Sequence, residues 1–77
     1  MITSAQMRAA RGLIGISQTK LAESAGLSVP TIKRMELRGP GVSSMDNVQA
    51  VISALEGQGV SFIQRDEAGG DGVRLQE

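Results

Sequence analysis

The residues best suited to recognition chemistry in this chain are cationic. Lys33, Arg34 and Arg38 fall within the stretch VPTIKRMELR, residues 29–38. A guanidinium presents a rigid fork of donors, and an ammonium presents a compact point charge. Both suit anions, and the fork also suits paired acceptors on a planar edge. Gln18, Ser28 and Thr31 add neutral hydrogen-bonding groups nearby, while Val29 and Pro30 can offer only apolar contact.

Other chemistries find little support. The 77 residues contain no Cys and no His. There is thus no disulfide framework and no thiolate metal site. The commonest general base and metal ligand is missing as well. Carboxylates and lysines are present, but no acid–base pair, nucleophile turn or phosphate loop can be recognised, so neither an enzyme, a metal site nor a cofactor is expected. Phe62 is the one aromatic, which excludes a platform for stacking single-stranded bases. No apolar run approaches the roughly 20 residues of a membrane span, and no signal-peptide pattern opens the chain. A soluble, cytoplasmic protein with no membrane partner is expected.

The zero net charge conceals an asymmetry. Residues 1–38 carry Arg8, Arg11, Lys20, Lys33, Arg34 and Arg38 against Glu23 and Glu36, a surplus of four positive charges. Residues 39–77 carry Arg65 and Arg74 against Asp46, Glu56, Asp66, Glu67, Asp71 and Glu77, a surplus of four negative charges. Such a chain can turn one positive face toward a polyanion.

The elements that must position these groups are mainly helical. Thr3 followed by Gln6 is a capping-box pattern, opening a helix over about residues 4–13. Met7, Ala10, Leu13 and Ile14 lie on one side of it, and Gly15 ends it. Ser17 caps a second helix over residues 18–25, with Leu21, Ala22 and Ala25 inward and Gly26 just past its end. Ser28 caps a third over about residues 29–38, with Pro30 in its first turn and Ile32 and Met35 inward, Leu37 nearby. Gly39, Pro40 and Gly41 break the chain. Ser43 or Ser44 caps a fourth helix reaching about Glu56, with the stripe Met45, Val48, Ile52 and Leu55, widened by Val51. From Val60 the period changes to two, which suits a strand, and residues 73–75 suit a second. The expected fold is a compact bundle of four helices over residues 1–58 with a strand or hairpin tail over residues 59–77. A lone hairpin is marginal in water, so the tail packs on the helices, pairs across a dimer, or frays.

The second and third helices carry steric instructions. Two helices joined by a short turn cross at about 90–120° only if they approach closely. Ala22 keeps the crossing narrow, Gly26 takes the turn, and Ile32 fills the angle. Residues 16–38, ISQTKLAESAGLSVPTIKRMELR, resemble the helix-turn-helix of the phage repressor and Cro family of bacterial regulators. Ser17–Gln18, Leu21–Ala22, Gly26, Ser28, Thr31–Ile32 and Glu36 carry the resemblance, and Arg11 fits the pattern ahead of it. The chain departs from the family in turning to a strand where a fifth helix is common, and in placing Pro30 where a polar reader is usual.

The resemblance implies double-stranded DNA as partner, with the third helix in the major groove. Val29, Pro30 and Arg34 then stand at base-reading positions. Arg34 can bond guanine O6 and N7 in a fork, Val29 can meet only a thymine methyl, and Lys33 can reach a phosphate or a guanine. Gln18 at a helix N-terminus suits a phosphate. Thr31 and Arg38 are further phosphate candidates, and Ser28 is either a phosphate ligand or simply a cap. The resemblance also implies an inner ion pair between Arg11 and Glu36. One such module covers little DNA, so a homodimer reading a two-fold site is expected. The apolar surplus of Val42, Val51, Val60, Phe62 and Ile63 is assigned either to a dimer or partner interface or to the core, with the interface preferred for Val51, Val60, Phe62 and Ile63. Two alternatives stand beside a transcriptional regulator: a DNA-binding antitoxin whose tail adds to a toxin's sheet, and a protein-interaction module without DNA.

Overall fold

Each helix begins where a hydroxyl can satisfy its first free amides. In the computed structural model, which describes residues 2–76, Thr3 Oγ1 accepts from Gln6 N at 3.1 Å. Gln6 Oε1 accepts in return from Thr3 N at 2.8 Å. This capping box opens α1 (Ser4–Ile14). Ser17 caps α2 (Gln18–Ala25) and Ser28 caps α3 (Val29–Arg38). After a 3-10 turn at Pro40–Val42, Ser44 rather than Ser43 caps α4 (Met45–Glu56).

The exits of α1 and α2 are alike. Gly15 and Gly26 both adopt φ +68°, a left-handed conformation that side chains resist. The next amide then folds back, Ile16 N to Arg11 O at 3.1 Å and Leu27 N to Ala22 O at 2.9 Å. These tight exits turn α1 into α2 and α2 into α3 within three residues each.

The C-terminal segment forms an antiparallel hairpin of β1 (Val60–Ile63) and β2 (Gly72–Leu75). Phe62 lies opposite Val73, and both pack on the helical core. The connecting loop is held by its aspartates. Asp66 Oδ1 accepts from Ala68 N at 2.8 Å and Gly69 N at 3.2 Å, and Asp71 Oδ1 accepts from Arg65 N at 3.0 Å.

All of these elements share one core. Met7 and Ala10 of α1, Leu21 and Ala22 of α2, Ile32 and Met35 of α3, and Val48 and Leu55 of α4 are buried together. Two residues assigned to an interface belong to this core instead. Val51 and Val60 are both 0% exposed. Strand β1 packs on α4, and Val51 and Val60 both belong to the buried cluster, so neither faces outward. Three helical residues also sit differently from their periodic assignment. Leu13 and Met45 are exposed at helix ends, and Leu37 lies on the outer side of α3. Ile2, just ahead of the first cap, is buried in the same cluster as Met7. An apolar residue before the cap and one in the first turn close the helix entrance together.

Gln6 ties the hairpin to the bundle. Its side chain is 3% exposed, and every polar atom of it is used. Beyond the cap, Nε2 donates to Ile63 O at 3.1 Å and to Gly72 O at 2.9 Å, one carbonyl on each strand. Gln6→Leu removes these donors and half of the capping box, leaving two part-buried strand carbonyls without this partner. The expected loss is about 1–3 kcal/mol. Amide exchange should accelerate first in β1 and β2, with α2 and α3 less affected. Uniform acceleration across the chain would contradict this anchoring role.

Candidate nucleic-acid interface

Helix α3 has two faces of opposite character. Ile32, Met35 and Glu36 are buried, while Pro30, Lys33, Arg34, Leu37 and Arg38 are all exposed. The exposed set recurs at three- and four-residue steps, which is one side of a helix. Val29 and Thr31 lie at the margin, partly buried. Glu36 is the one carboxylate of α3, and it points inward, so the outer row carries no negative charge. Among the described residues, none forms an ion pair with Lys33, Arg34 or Arg38.

The inward carboxylate fixes which face is outward. Glu36 is 3% exposed yet has three donors. Arg11 Nε donates to Oε2 at 2.7 Å and Arg11 Nη2 to Oε1 at 2.8 Å. Gln18 Nε2 donates to Oε1 at 3.1 Å. Arg11 comes from α1 and Gln18 from α2, so the carboxylate joins all three helices at one point. Arg11 also donates from Nη1 to Ile16 O at 3.2 Å. The hydrogen bond to Glu36 raises the pKa of Arg11 above its ordinary value, against the lowering effect of partial burial. The last turn of α3 is gripped by α1 as well. Ser4 Oγ donates to Met35 O at 3.0 Å, and Arg8 Nη1 donates to Glu36 O. Arg8 gives the Glu36 carbonyl a partner at the helix end, while the Met35 carbonyl accepts from Gly39 N at 2.9 Å as well as from Ser4.

The remaining sequence-derived candidates divide by location. Gln18 is partly buried, with its amide turned toward Glu36. Thr19 and Lys20 are the exposed residues of that helix start. Ser28 Oγ caps Thr31 N at 3.2 Å and shares a 2.8 Å hydrogen bond with Thr31 Oγ1. A pair of hydroxyls so joined keeps one hydrogen for an outside acceptor. Phe62 is half-buried and Ile63 is 38% exposed, both on the hairpin and away from α3. The sequence marks Gln6 only as a cap partner, gives Ser4 no role, and sets Leu37 beside the inward residues rather than on the outer row. The Leu37 signal was available, since it stands three and four residues after Arg34 and Lys33.

The arrangement suits a groove lined with anions. From Pro30 to Arg38 the outer row rises about 12 Å along the helix axis. The major groove of DNA is about 12 Å wide and admits an α-helix, whose diameter with side chains is about 10–12 Å. Among the described residues no group of three acidic, His or Cys side chains is placed to hold a metal, and no helix is long and apolar enough to cross a membrane.

If Glu36 is the joint between the three helices, removing it strands Arg11 and frees Gln18. Glu36→Leu is expected to lower stability by about 3 kcal/mol in urea denaturation, toward the lower end for a broken buried pair because Arg11 keeps some solvent access. Adding Arg11→Met should recover more than half of that loss, since the stranded charge is then gone.

A family model described as helix-turn-helix matches residues 7–58 of the 77. A search among curated proteins returns no match. The matched span runs from α1 to just past α4 and contains the whole outer row of α3 and the Arg11–Glu36–Gln18 joint. On that match, and with four helices in this order, the chain belongs to the phage repressor and Cro-type helix-turn-helix family, and it is in general terms a DNA-binding regulator.

Proposed function

We propose that this protein is a sequence-specific transcriptional regulator that reads a two-fold operator as a homodimer. The observation that carries the reading is the outer row of α3. Three cations, Lys33, Arg34 and Arg38, stand exposed there, with no ion pair among the described residues and the carboxylate of α3 turned inward. Arg34 stands midway along α3, between the Val29 end and Arg38, and takes the guanine-reading role through its fork. Val29 and Pro30 provide apolar contact at the helix start. Lys33 and Arg38 neutralise phosphates, with Thr31, Ser28 and the start of α2 at Gln18 as further backbone contacts.

A single domain of this size covers one half-site. Two copies with recognition helices about 34 Å apart would engage successive major grooves on one side of the duplex. With Val51 and Val60 in the core, Ile63, Leu75 and the exposed part of Phe62 are the apolar groups the hairpin leaves for a second copy.

Selection from a random duplex pool, followed by fluorescence anisotropy at two salt concentrations, tests this. The selected site is expected to have two-fold symmetry, with affinity falling steeply as salt rises. Arg34→Ala should lose about 1–3 kcal/mol and relax preference at one guanine in each half-site. Lys33→Ala should weaken binding to all sequences alike and shallow the salt slope by about one unit. Absence of binding at low salt would overturn the reading.

A further inference from the structure

Leu37 is the most exposed large apolar residue of the described chain, at 79%. It sits on the outer row of α3, one turn after Lys33 and Arg34 and directly before Arg38. Exposed leucines are common singly. This one stands among three unpaired cations, on a face from which the helix's carboxylate has been withdrawn.

The surroundings decide what Leu37 can meet. An apolar protein partner would have to desolvate Lys33, Arg34 and Arg38 with no counter-charge from this face, which is costly. A polyanion neutralises those cations as it approaches. Leu37 has no donor for a phosphate. Within a major groove the apolar groups on base edges are the C5 methyls of pyrimidines. Leu37 lies about 4.5 Å along the helix axis beyond Arg34, against a spacing of about 3.4 Å between base pairs.

Resting on the DNA-reading role of α3 above, we propose that Leu37 is a specificity residue that packs on the 5-methyl group of a pyrimidine, one or two base pairs from the guanine taken by Arg34. The methyl belongs to thymine or to 5-methylcytosine, and the chemistry is the same for both. Pro30 and Val29 form a second apolar end of the row, on the opposite side of Arg34. The row therefore alternates apolar, cationic and apolar, and its expected half-site is a guanine with a methylated pyrimidine to either side.

The test uses the full chain and its selected duplex. Each thymine is replaced in turn by deoxyuridine, which keeps every hydrogen bond and loses only the methyl. Wild type should weaken about fourfold at the Leu37 position, the value of burying one methyl group. Leu37→Ala should melt at the wild-type temperature, bind the thymine duplex about fourfold more weakly, and show no further loss at that deoxyuridine. Sensitivity at the Val29–Pro30 position should persist in the variant. Where selection returns cytosine at the Leu37 position, a cytosine against 5-methylcytosine comparison replaces the uridine arm, and tighter binding to the methylated base assigns the contact to that source. Wild-type binding that depends on Arg34 but ignores every methyl would overturn the inference while leaving the DNA-reading role intact. A Leu37→Ala variant that changes oligomeric state but not methyl dependence would overturn it too. No binding to any duplex would overturn both.

Discussion

The carboxylate of Glu36 is the constraint on which the arrangement depends. A charge at 3% exposure is tolerable only with all its hydrogen bonds made. Its donors come from Arg11 on α1 and Gln18 on α2, so α3 must present that one side to both helices. Among the described residues the opposite side then stays exposed. Lys33, Arg34, Leu37 and Arg38 are exposed because Glu36 is not. A pair like this adds little net stability relative to well-packed apolar residues, and its effect here is on orientation.

Helix α1 serves two masters. On one side Ser4, Arg8 and Arg11 hold the end of α3. On another Gln6 holds both strands of the hairpin through Ile63 O and Gly72 O. Helix α3 and the C-terminal hairpin do not need to touch in order to share a foundation. Val60 and Phe62 complete the attachment by packing on the same core that fixes α2 and α3. The C-terminal segment is thus built into the helical body.

The legible parts of this protein are the local ones. Caps at Thr3, Ser17 and Ser28 and exits at Gly15 and Gly26 act over three to five residues, so their signals lie side by side in the chain. The crossing of α2 and α3 was legible for the same reason, through Ala22, Gly26 and Ile32. The failures are non-local. A wide apolar stripe on α4 shows that Val51 is apolar, but only the packing of the other elements on α4 shows that it is covered. Gln6 reads as a cap partner, and its contacts 57 and 66 residues away leave no trace at Gln6 itself. Leu37 was placed near the core on residue type, whereas its phase relative to Ile32 and Met35 puts it outside.

The account claims that one face of α3 is the surface that meets DNA. The most direct measurement is a titration of isotopically labelled protein with a short duplex at low salt, followed by backbone amide and arginine side-chain resonances. The account predicts shifts concentrated on Val29, Pro30's neighbours, Lys33, Arg34 and Leu37 and at the start of α2, with the hairpin loop from Gln64 to Asp71 unchanged. Shifts confined to the hairpin, or none at α3, would contradict it.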